Sequence, residues 1–160
     1  MTFQIEKAAA GNVSQIIRLI REFAEYEKLL DFCEVTEERL SAALFGETKV
    51  AEAIIVFQEN LPVGYAIFYP NFASFRGQRG IYLEDIYIKQ EFRGRGAGEM
   101  ILKHIAKIGK ERGFERIDFQ VLEWNTPAVG FYERLGASRD EEERHFRFVG
   151  ESFARLAAAG

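Results

Sequence analysis

Apolar residues recur at two spacings along this chain, and the switches between them mark out its elements. Phe3 to Lys7 alternates apolar and polar positions, which suits a short strand. From Val13 the spacing lengthens. Val13, Ile16, Ile17, Leu19, Ile20, Phe23 and Ala24 line one face of a helix that Asn12 is placed to cap. Thr36 is placed to cap a second, short helix that runs through Leu44 and stops near Gly46. Lys49 to Glu59 reads as a buried strand, Asn60-Leu61-Pro62 as a turn, and Val63 to Tyr69 as the next strand, antiparallel to it. Pro70 to Gly80 breaks the pattern and reads as a mobile aromatic loop. Ile81 to Lys89 then resumes as a strand. Strict alternation there would put Tyr82, Glu84, Ile86 and Ile88 on one face and Leu83, Asp85 and Tyr87 on the other.

Past a glycine-rich stretch, Ala97, Met100, Ile101, His104, Ile105 and Ile108 return at helical spacing, and Gly113 is a good terminator. Glu115 to Leu122 reads as a strand. Asn125 is placed to cap a helix with Pro127 in its first turn, followed by Phe131, Tyr132 and Leu135 and ended by Gly136. Arg139 to Arg144 reads as a charged turn, His145 to Val149 as a last strand, and Ala157 to Gly160 as a small Ala-rich tail. The order β-α-α-β-β-β-α-β-α-β predicts an α/β (α+β) fold, a central mixed β-sheet with helices on both faces, in a single domain over residues 1–160.

Composition narrows the partners. The formal net charge of −4 disfavours wholesale nucleic-acid binding and suits a cationic small substrate better. A hydrophobic share of 48% with 15 Phe describes a chain able to build a core. The single cysteine, Cys33, leaves no intrachain disulfide or cysteine cluster, and no metal-spaced set of His, Cys or carboxylates stands out. The first residues do not read as a signal peptide, and no apolar run approaches the ~20 residues of a membrane span. A soluble, cytoplasmic protein with no membrane association is therefore expected.

The stretch from Glu91 to Leu102 carries the chemistry. Gly94, Gly96 and Gly98 alternate with Arg93, Arg95 and Ala97 between a strand and a helix. Glycine lets backbone N–H groups approach a ligand closely, and a helix starting here aims its unpaired N–H groups and positive dipole end at the same spot. The arginines add donors suited to phosphate. The stretch reads as an anion cradle, most simply for a pyrophosphate. No Lys-Ser/Thr ends it, as a P-loop requires, and Glu99 stands where a dinucleotide fingerprint needs its third glycine. Near it in the chain stand Glu84, a carboxylate able to take a proton, and Tyr132, a phenol able to give one to a thiolate. Two plainer readings stay open from these residues alone. Glu84 suits a strand-end carboxylate paired with a cation, and Tyr132 a core aromatic with its hydroxyl at the rim.

Arg93-Gly94-Arg95-Gly96-Ala97-Gly98 resembles the R-x-x-G-x-G/A motif of the GNAT superfamily of N-acetyltransferases. Tyr82-Leu83-Glu84-Asp85, Glu123-Trp124-Asn125-x-Pro127, Phe131 to Ala137 and Phe23 to Glu27 are similar to the diamine (spermidine/spermine) and thialysine acetyltransferase branch. The resemblance covers nearly the whole chain and implies acetyl-CoA as co-substrate and no metal. It implies cofactor contacts from Ile86, Tyr87, Ile88, Arg93, Gly94, Arg95, Gly96, Ala97, Gly98 and Glu99, and others around Asn125 and Ala128. Tyr132 matches the general acid for the coenzyme A thiolate, and Glu84 the carboxylate that deprotonates the amine through water. Tyr26, Glu27, Glu84 and Asp85 match the amine site. The implied reaction is direct attack of a small primary amine, a polyamine or a thialysine-like amino acid, on the thioester. A protein or peptide acceptor, or a non-catalytic acyl-CoA-binding module on the same fold, are the alternatives. Arg76 and Arg79, cations in the aromatic loop, do not follow the branch pattern closely. A homodimer is expected, with Phe146 and Phe148 available for pairing.

Overall fold

The computed structural model describes residues 2–159, so Met1 and Gly160, the last residue of the Ala-rich tail, lie outside the described residues. Two compact units make up the chain, Met1–Gln120 and Val121–Gly160.

The first unit is a five-stranded sheet in the order β1 (Phe3–Lys7), β2 (Glu52–Gln58), β3 (Leu61–Ala73), β4 (Gln78–Ile88), β5 (Arg116–Asp118). The first four strands pair antiparallel, and β5 pairs parallel to β4. A parallel neighbour needs a crossover, and α3 (Ala97–Glu111) supplies it. Each face of the sheet buries its own core. On one, α1 (Val13–Tyr26) and α2 (Glu37–Phe45) bring Ile16, Leu19, Leu40 and Leu44 onto Ala53, Ile55, Tyr65, Ile67 and Tyr87. On the other, Ala97, Ile101 and Ile105 of α3 cover Ile54, Val56, Val63, Ala66, Phe68, Ile81, Leu83 and Ile88. Helices on both faces of a mixed sheet are what the pattern predicts.

Local signals hold where the chemistry is local. Thr36 Oγ1 accepts from the Arg39 N–H at 3.1 Å and caps α2, and Gly113, at φ 77°, follows the end of α3. Asn12 acts differently from expectation. It ends a 3₁₀ turn over Ala10–Asn12, and its side chain accepts from the Ala9 N–H and donates to Gln15 rather than capping α1.

The turn expected at Asn60-Leu61-Pro62 sits earlier. Glu59 and Asn60 both take positive φ, 51° and 66°, the conformation a two-residue hairpin demands, and Leu61 and Pro62 already belong to β3. The stretch read as a mobile aromatic loop is an extension of the β3–β4 hairpin, laddered from Pro70↔Ile81 to Ala73↔Gln78. Tyr69 stacks on Tyr82 at 5.4 Å across its base, and the Arg79 guanidinium lies 5.0 Å from the ring centre of Phe114, between α3 and β5. The strand expected over Glu115 to Leu122 is laddered only at Arg116–Asp118.

The second unit holds α4 (Thr126–Arg134) and α5 (Gly150–Ala158). His145 to Val149 does not form the expected strand. Alternation alone supplies no ladder, and the segment pairs with no strand among the described residues, leaving Phe146 87% and Phe148 65% exposed. The residues after it form α5 instead, because Ala154, Arg155, Leu156, Ala157 and Ala158 are strong helix formers. No helix among the described residues is long and apolar enough to cross a membrane.

Candidate active site

The cradle forms where β4 hands over to α3. Gly94 and Gly96 take φ of 74° and 85°, a left-handed conformation that side-chain-bearing residues adopt only with strain, and Gly96 stands at the N-cap of α3. Nothing of the protein lies within 4 Å of where a Cβ on either would sit, so the ground over both is open. Gly96 C=O accepts the first α-helical bond from the Met100 N–H at 3.0 Å. The N–H groups of Ala97, Gly98 and Glu99 belong to the first turn of a fifteen-residue helix, which has no carbonyls of its own to offer them. Arg95 is exposed beside them, and the Glu99 carboxylate turns sideways to Lys103 at 2.9 Å. Backbone donors, a helix dipole and an exposed guanidinium fit a pyrophosphate.

β5 pairs with only a short part of the strand leading to the cradle. β5 follows β4 only from Gly80 to Tyr82, so the run from Leu83 through Ile86, Tyr87 and Ile88 has backbone groups on that side that β5 does not engage. An extended acyl-carrying arm could pair there as a further strand would.

Glu84 stands at a break in β4. Ile67 pairs with Asp85 and Phe68 with Leu83, so Glu84 is an extra residue with no partner on β3, a β-bulge. This corrects the two-face reading of the strand. Leu83, Ile86 and Ile88 share the α3 face, whereas Tyr82, Asp85 and Tyr87 lie toward Tyr69, Tyr65 and α1. The slip delivers two consecutive carboxylates to one place. Glu84 is exposed and accepts from the Tyr69 hydroxyl at 3.1 Å, while Asp85 accepts from the buried Tyr65 hydroxyl at 2.8 Å.

The electrostatics of this corner is that of crowded acids. Burial, opposed by the Tyr65 bond and assisted by the Glu84 charge, raises the Asp85 carboxyl to about 6. Burial and the charge of Asp85 raise the Glu27 carboxyl as well. Burial and the Glu84 charge lift the Tyr69 phenol to about 12, and Tyr65 stands well above the ordinary phenol range. Glu27, Glu84 and Asp85 are thus brought into one electrostatic neighbourhood, with Tyr26 next to Glu27 at the end of α1. Sequence reasoning missed Tyr65 and Tyr69. Their spacing along β3 and the register against β4 were the available signal.

Arg93 is engaged away from the cradle. Its Nε donates to the Ile88 carbonyl at 2.8 Å, and its guanidinium lies 4.4 Å from the Tyr26 ring centre and 5.4 Å from that of Tyr87.

In the second unit Asn125 is buried at the N-cap of α4, with its carbonyl accepting from the Val129 N–H at 3.1 Å. Ala128 lies in the first turn. Tyr132 is half-buried on the same helix, edge-on to Phe131 at 5.2 Å between ring centres.

A family model described as "Acetyltransferase (GNAT) family" matches residues 16–137. The chain belongs to the GNAT acetyltransferase family. It is an acetyl-CoA-dependent N-acetyltransferase, and the cradle and the run of β4 beyond β5 fit the co-substrate that the GNAT family uses. The chain is 40% identical to a "Thialysine N-epsilon-acetyltransferase" of Bos taurus over 96% of each chain. It is 33% identical to a human "Spermidine/spermine N(1)-acetyltransferase-like protein 1" over 97% of this chain and 24% of that one. Among solved structures, an integron cassette protein from the mobile metagenome of V. cholerae superposes with a TM-score of 0.82, covering 99% of both chains at 23% identity, a likeness of fold.

Proposed function

We propose that this GNAT enzyme acetylates the primary amine of a small cationic molecule, a polyamine or diamine or a thialysine-like amino acid. One observation carries the reading: the bulge at Glu84 sets Glu84 next to Asp85, the charge of Asp85 reaches Glu27, and burial raises the Asp85 and Glu27 carboxyls. Carboxylates crowded and half-desolvated gain from a cation. The bovine relative's name, thialysine, and the human relative's, spermidine/spermine, describe such cations.

Bound acetyl-CoA supplies the acetyl group as a thioester. Toward it, Gly94 to Glu99 hold the pyrophosphate through backbone N–H groups, Ile86 to Ile88 offer backbone along β4, and Asn125 and Ala128 add contacts from α4. Glu84, exposed and steadied by the Tyr69 hydroxyl, takes the proton from the amine through a water. Tyr132 gives a proton to the departing thiolate, which its basicity matches. Tyr26, Glu27 and Asp85 line the amine site. Exposed Phe146 and Phe148 support a homodimer.

The test is thiol release from acetyl-CoA across spermidine, putrescine, thialysine, lysine and a lysine peptide. Turnover confined to the free amines supports the reading, and preference for the peptide overturns it. Tyr132→Phe should lower kcat roughly 100-fold, the scale of general acid catalysis, and leave acetyl-CoA affinity within about twofold. Unchanged turnover removes Tyr132 from the mechanism.

A further inference from the structure

Arg93 sits one residue before the first cradle glycine, yet its side chain is built into the α1 face of the sheet. Three contacts fix it. Nε donates to the Ile88 carbonyl at the last residue of β4, at 2.8 Å. The guanidinium plane is 4.4 Å from the ring centre of Tyr26, the last residue of α1, and 5.4 Å from that of Tyr87. Tyr87 is held in turn, stacked on Phe23 at 5.3 Å and donating its hydroxyl to Glu22 at 3.4 Å. Glu22 also pairs with Lys89 at 3.2 Å. Three acidic or aromatic positions of α1 (Glu22, Phe23 and Tyr26) and three at the β4 end (Tyr87, Ile88 and Lys89) therefore close into one cluster, with the half-buried Arg93 bridging its last members.

We propose that Arg93 is a positioning residue for the acceptor amine. It clamps the last turn of α1, and so the Tyr26–Glu27 wall of the amine site, to the end of β4. The inference rests on the amine site proposed above. A planar guanidinium can lay its face on a tyrosine ring while one edge N–H bonds a carbonyl, and a lysine cannot do both. Glu27 directly follows the residue Arg93 covers, so loosening Tyr26 moves a carboxyl of the amine site. Arg95 is exposed beside the first turn of α3, with its guanidinium 5.8 Å from the Phe92 ring centre.

The experiment compares Arg93→Gln, Arg93→Lys and Arg95→Gln, reading the thialysine and spermidine KM, kcat, the acetyl-CoA Kd by calorimetry, and Tm. The amine KM should rise about tenfold in Arg93→Gln, and about half as far in Arg93→Lys, with acetyl-CoA Kd held within about twofold. Arg95→Gln should show the reverse split. A weakened acetyl-CoA Kd with unchanged amine KM in Arg93→Gln overturns the proposal, as do an equal rise in both and no change in either. If the Gln variant does not fold, Arg93→Lys and Tyr26→Leu are read by the same criteria. Absence of amine turnover by the wild-type protein would remove the functional reading itself. A wrong split with wild-type turnover intact removes only the assignment to Arg93.

Discussion

At Gly96 the groups proposed to face the ligand are main-chain N–H groups, set by a φ of 85° and the fifteen residues of α3 behind it. At Glu84, on the same strand–loop–helix unit, they are carboxylates, fixed by a one-residue slip against β3 and by two tyrosine hydroxyls. The first arrangement offers a helix terminus that any pyrophosphate can use, with the Arg95 side chain beside it. The second depends on which side chain occupies each position, which is why the proposal puts the choice of acceptor there. The two therefore respond to different substitutions.

The largest effect should come from the backbone of the cradle. Gly96→Val forces a β-branched residue to a positive φ, at about 2–3 kcal/mol, so acetyl-CoA Kd should weaken about 30–150-fold by calorimetry. Retained affinity would mean that the loop binds through its arginines and not its backbone.

A change on the acidic side should show in stability. The Asp85 carboxyl stands at about 6 in the folded chain against an ordinary 3.8, so the folded state holds the extra proton between those values. Stability then falls as pH rises through that window, and the cost is complete above it. Asp85→Asn keeps an acceptor for the Tyr65 hydroxyl and removes the charge. It should stabilise the fold by about 2–3 kcal/mol at pH 7.5, with the gain gone below about pH 4, in denaturant melts across pH. A gain independent of pH would show that the buried charge is not its source.

The smallest effect should fall on the Lys103–Glu99 pair beside the cradle. Lys103→Ala breaks an exposed i,i+4 pair with Glu99, worth about 0.3–0.5 kcal/mol, and should leave acetyl-CoA Kd within about twofold. A larger loss would place the Glu99 side chain, not its N–H, in the cradle.

The same contrast explains what could be read from the letters. Gly94 and Gly96 announce the cradle because their positive φ demands glycine, and the helical spacing of Ile101 and Ile105 says which way α3 packs. The two cores follow from periodicity for the same reason. The bulge has no such signature. Strict alternation over Ile81 to Lys89 reads smoothly, and only the pairing with Ile67 and Phe68 reveals that Glu84 is the extra residue. The partners Tyr65 and Tyr69 stayed hidden with it, since they reach the carboxylates across the ladder. His145 to Val149 failed in the opposite sense: its alternation is clear, but a strand also needs a neighbour to bond.

The central claim, that the cradle holds the cofactor while the bulge serves the acceptor, is tested most directly by Glu84→Gln. Both acetyl-CoA Kd and kcat/KM for thialysine should be measured on the same preparation. We predict an acetyl-CoA Kd within about twofold of wild type and a kcat/KM for the amine lowered roughly 100-fold. An unchanged kcat/KM, or a loss that follows acetyl-CoA affinity, would contradict that division.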